Sequence, residues 1–124
     1  MIYHITTRDE WQQALERGIY IVPSLDQQGF IHASTREQVA KVGNALYRTV
    51  PNCVLLAIDE NRLPAPPLWE PPDHPDPNNP PPTGDQELFP HIYGPIPVGA
   101  VVKITDFIVG MDGMYHFPAE MEQG

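Results

Sequence analysis

The chain has 124 residues and a mass of 13.9 kDa, with 41% hydrophobic and 19% charged residues. That balance fits one compact soluble domain, residues 1–124, and excludes both a chain disordered throughout and two full domains. Seven Lys and Arg against 16 Asp and Glu give a net charge of −9, which disfavours phosphate backbones and anionic membrane surfaces as partners.

Ile2 to Ile5 is β-branched and aromatic and predicts a strand. Thr7-Arg8-Asp9-Glu10 has the pattern of a capping box, so a helix follows, with Trp11, Ala14 and Leu15 on one face and Gly18 as its stop. Ile19 to Val22 is a second extended stretch, closed by Pro23-Ser24. A polar turn leads to Gly29 and a third strand, Phe30 to Ser34. Thr35-Arg36-Glu37-Gln38 repeats the capping pattern ahead of a second helix, which runs to about Arg48 with Val39, Val42, Ala45 and Leu46 on one stripe. Val54 to Ile58 is the longest aliphatic run and predicts a central strand covered on both faces.

Leu68-Trp69-Glu70 reads as a short strand with Trp69 in the core, and residues 71–84 as a proline-rich loop; ten of the 16 prolines fall between Pro64 and Pro82. Leu88 to Pro97 is apolar but broken by proline, so it reads as a folded-over extended segment and not as a central strand. Ala100 to Ile104 is a strand. Asp112-Gly113 predicts a hairpin turn between Phe107–Val109 and Met114–Phe117, and the tail from Pro118 reads as frayed. The result is an α+β domain with a split, mostly antiparallel β-sheet and two helices.

Cys53 is the single cysteine and sits in an apolar segment, which excludes an intramolecular disulfide and a multi-cysteine zinc knuckle. There is no basic and apolar leader at Met1-Ile2-Tyr3-His4, and no apolar run nears the ~18 residues of a spanning helix, so a cytoplasmic location away from membranes is expected. Nucleotide phosphate loops, His-Glu-x-x-His and Gly-x-Ser-x-Gly are absent.

Polar residues stand where apolar ones belong. His4 interrupts the first strand, His32 and Ser34 share a face with Phe30, and His91 and Tyr93 lie two apart. Three imidazoles in or beside strands invite a common pocket, where mutual repulsion would lower at least one pKa. His74, in the proline loop, and His116, on the terminal hairpin, have the blander reading of surface residues.

Ile-Tyr-His-Ile-Thr at the start, Gly29 to Val39, Val54 to Asp59, Trp69-Glu70 and Phe89 to Ile96 resemble the small bacterial DUF952 family over nearly the whole chain. That family is similar in fold to the ADP-ribosyltransferase superfamily, whose members hold NAD in a cleft of a split sheet. The resemblance implies an NAD or ADP-ribose pocket with His4 and Thr6 on the adenosine-ribose side. His32, Ser34 or Tyr93 would lie along the nicotinamide side, with His91 in the same pocket. Glu70, or failing it Glu87, would be the carboxylate that polarises the glycosidic bond, so Glu70 and His32 are the catalytic candidates. Two alternatives stay open: a binding module for a nucleotide or other small ligand without turnover, and a metal site of His4, His32 and His91 with Glu70 or Glu87.

Overall fold

The computed structural model describes residues 1–71 and 87–122. Its centre is β4 (Cys53–Ile58), buried along its whole length and paired antiparallel with β1 (Ile2–Thr7) on one side and β8 (Val101–Asp106) on the other. The aliphatic run thus becomes the middle strand. Val54, Leu56 and Ile58 point into one apolar core and Cys53, Leu55 and Ala57 into a second.

The first core lies between that sheet and a layer made by α1 (Arg8–Arg17), β2 (Ile19–Tyr20), β3 (Ile31–His32), β6 (Phe89–Ile92) and β7 (Ile96–Pro97). The second is closed by α3 (Val39–Leu46), the segment around Phe107 and Tyr115, and α4 (Ala119–Glu122), which buries Met121. β2 pairs with β7, and β3 and β5 (Leu68–Glu70) flank β6. A backbone bridge, Tyr3 to Ser34 with N–H···O distances of 2.8 Å in both directions, joins this last sheet to β1. All strand pairs are antiparallel, and the fold class is α+β.

Thr7 caps α1 by accepting from the Glu10 amide at 3.2 Å, and Gly18 ends the helix in the left-handed region. Trp11 and Ala14 are buried, whereas Leu15 is exposed. In the second capping pattern only the return half forms: the Thr35 amide donates to Gln38 Oε1 at 3.0 Å, and α3 begins after this turn. Its buried face is Val39 and Gly43, while Leu46 is exposed.

Several expectations are corrected. Pro23 to Gln28 is not a turn but a helix, α2, with Pro23 in its first turn and Gly29 in the left-handed region at its end. β6 is a central strand despite Pro90. The Pro90 carbonyl accepts from the Ala33 amide at 3.1 Å, so the missing Pro90 N–H faces the side where β3 has already ended. Trp69 lies on edge strand β5 and is half-exposed. Around Gly113 the chain turns but forms no hairpin strands, because the Tyr115 backbone is bonded on both sides by the Asn44 amide group of α3, at 2.7 and 3.1 Å. The tail is not wholly frayed, since α4 docks, and with α2 and α4 the described residues hold four α-helices where two were expected. The proline-rich segment from residue 72 to 84, with His74, lies outside the described residues.

Candidate functional site

Alternation along β1 puts Ile2, His4 and Thr6 on the face of the first core, opposite Ile58, Leu56 and Val54. Two polar side chains therefore enter an apolar layer. His4 Nδ1 donates to the His32 carbonyl, which can only accept, so the proton of the neutral ring sits on Nδ1. Nε2 is left as an acceptor and takes the Tyr20 hydroxyl at 2.8 Å. Burial pushes the His4 pKa down to about 4, with a smaller contribution from the neighbouring His32 charge, opposed by the bond to the His32 carbonyl. The expected lowering is found, but desolvation rather than repulsion between imidazoles is its main cause. Burial also pushes the Tyr20 phenol far above its ordinary range, so it remains a neutral donor.

Beside this pair a cavity of about 340 Å³ opens, walled by His4, Thr6 and Tyr20, by Glu10 from α1, and by the apolar Val22 and Val50. Thr6 is 4% exposed, and its Oγ1, the one buried side-chain polar atom among the described residues without a hydrogen bond of good geometry, lies beside the Tyr20 phenol oxygen and eases that phenol's pKa slightly down against the effect of burial. Among the described residues no arginine or lysine lines the cavity.

His32 borders the same cavity and also the outer face of the β3–β6–β5 sheet. There its ring meets His91 edge-on at 5.6 Å, and Phe30 stacks on His91 at 4.0 Å. His91 Nδ1 and the Tyr93 hydroxyl both bond Glu70 Oε1, at 2.9 and 2.6 Å. Together they hold the Glu70 carboxyl below its ordinary range, the Tyr93 bond contributing most.

The three histidines thus converge in pairs, His4 on the His32 backbone and His32 on the His91 ring. They do not form a ligand set, and among the described residues no three His, Cys, Asp or Glu side chains are placed to hold a metal ion. Ser34 is buried at the seam between sheets and does not line the cavity. Glu87 pairs with Lys41 of α3. His116 bonds Asp112 at 2.7 Å beside a second cavity, of about 350 Å³.

Residues 5–104 match the model of a family described as protein of unknown function (DUF952). The chain belongs to this family. DUF952 membership agrees with the solved structures it is similar to, all of the protein CC0527 from Caulobacter crescentus. The crystal structure is 29% identical with a TM-score of 0.75, covering 93% of this chain and 92% of that one. A double mutant gives 28% and 0.74 over the same shares, and the solution NMR structure gives 32% and 0.69 over 91% and 89%. No curated protein matches. Among the described residues no helix is long and apolar enough to cross a membrane.

Two contributors were missed in the sequence. Tyr20 shows in the sequence only as part of an extended stretch, although a phenol between apolar strand neighbours will be buried and will need a partner. Glu10 shows in the sequence only as part of a helix cap, and nothing local tells that its carboxylate edges a cavity formed by residues far along the chain.

Proposed function

We propose that this DUF952 protein is a small-ligand-binding domain whose ligand occupies the cavity beside His4, Thr6 and Tyr20. The observation that carries the reading is the cavity of about 340 Å³ itself, set against the His4–Tyr20 pair and against a Thr6 hydroxyl that is buried beside Tyr20 without a hydrogen bond of good geometry. A buried hydroxyl so poorly satisfied is a weak point, at most about 1–3 kcal/mol, that a ligand group drawing it toward the cavity would offset, and the volume is in the range of small-molecule sites. His4 and Tyr20 support it as a neutral, fixed pair.

A second reading is an ADP-ribosyltransferase-like fold and enzyme, with NAD as donor, His4 and Thr6 toward the adenosine ribose and Glu70 as the carboxylate beside the reacting bond. It is favoured by Glu70, which His91 and Tyr93 hold in its charged form. The cavity walls weigh against it, because a pyrophosphate calls for cations or clustered amides and these walls offer Glu10.

NMR titration of the whole protein with a fragment set, with ADP-ribose and with NAD tests both. Fragments should shift the His4, Thr6 and Tyr20 resonances together. If none does, the cavity is not a binding site. Shifts with NAD accompanied by nicotinamide release would replace the first reading with the second.

A further inference from the structure

Resting on that cavity reading, we infer that the ligand class is a small organic cation, a primary ammonium carried on an apolar body, with Glu10 as its counter-charge. The hydrogen-bonding character of the wall argues for this. The Tyr20 hydroxyl hydrogen is committed to His4 Nε2, so the phenol oxygen has only lone pairs to offer. His4 has both ring nitrogens engaged. Glu10 is fixed by its place in the first turn of α1, where its amide is bonded to Thr7. Its carboxylate receives only the Thr7 hydroxyl, at 3.5 Å, and makes no ion pair among the described residues. Arg8, two residues away, is drawn instead to Asp106 of β8.

The wall therefore presents acceptors and one carboxylate, beside the hydroxyls of Thr6, Ser24 and Tyr47, which can turn to act as acceptors too. An ammonium has three donors and no acceptor. Val22, Tyr47 and Val50 would cover its apolar body. The net charge of −9 raises the local concentration of cations and lowers that of anions.

Benzylamine and benzyl alcohol, alike in shape and different in charge, decide the matter on the whole protein at neutral pH. Benzylamine should bind about tenfold more tightly, the scale of one charge-assisted hydrogen bond, and shift His4, Thr6 and Tyr20. Glu10→Gln keeps the helix cap and should bring the two probes to near-equal affinity. Equal binding of both to the wild type would overturn the cation assignment while leaving the cavity reading intact. Amine binding that maps to Glu70 and Tyr93, or that survives Glu10→Gln unchanged, would overturn the role of Glu10. If neither probe moves the cavity resonances while other fragments do, the class is wrong; if nothing does, the cavity reading itself falls.

Discussion

His4 and His91 are both buried, both lie on β-strands, and both have Nδ1 engaged, yet their surroundings differ in kind. His4 is closed in by a carbonyl and a phenol, neither of which is charged. His91 is bonded to a carboxylate that reaches solvent and is shared with an exposed tyrosine. Burial alone does not define what a polar group in a core is for. The partner does: one network is neutral and faces a cavity, the other carries charge to the surface.

The largest expected effect breaks the first network with acid. His4 has a folded pKa of about 4 against an ordinary value of 6.5. Between those values the unfolded chain takes up a proton that the folded chain refuses. Stability is therefore full above pH 6.5 and falls as the pH drops toward 4, by about 3 kcal/mol from this one group. Urea denaturation at pH 7.5, 5.5 and 4 should show the slope, and His4→Leu should flatten it even though that variant is less stable throughout. A slope that His4→Leu leaves unchanged would mean that His4 is not buried neutral.

Next in size is Tyr20→Phe. It removes the donor to His4 Nε2 and leaves a buried acceptor unsatisfied, a loss of about 1–3 kcal/mol at neutral pH. Denaturation midpoints measure it. A near-zero change would show that Nε2 finds another donor, and the fixed-tautomer account of His4 would go with it.

The same contrast explains what was legible in the sequence. Val54 to Ile58 announced the central strand because an apolar run that long has to be covered on both faces. Thr7, Glu10 and Gly18 marked the ends of α1 through local bonds that need no tertiary knowledge. His4 stands out in the sequence as a polar residue inside a β-branched and aromatic strand. What escaped depended on distant partners. Helix α2 has Leu25 as the one large apolar side chain between Pro23 and Gln28, so it shows no stripe, and only its terminal signals were there to read. Pro90 argued against a central strand, and the length of β3 that makes it tolerable is set elsewhere. Asn44 took the place of a hairpin partner for Tyr115 from 71 residues away. Glu70 is a candidate carboxylate through the family resemblance, and its bonds to His91 and Tyr93 follow from β5 pairing with β6, which periodicity does not reveal.

The smallest effect sharpens the second network. Tyr93 is the main reason that Glu70 titrates below its ordinary value of 4.5, and His91 the next. A carboxyl whose folded pKa is depressed contributes stability that is present above 4.5 and disappears as the pH falls through the folded value, a window that begins where the His4 window is closing. Tyr93→Phe should therefore raise the Glu70 pKa part of the way back, with the His91 bond accounting for the remainder. The carboxylate carbon signal of Glu70, followed by NMR between pH 6 and 2, reads it directly. Because Glu70 is open to solvent, stability at neutral pH should hardly move, in contrast to Tyr20→Phe. The two phenol deletions remove the same atom from two histidine networks, so a large stability loss from Tyr93→Phe would erase the distinction between the inward and outward networks.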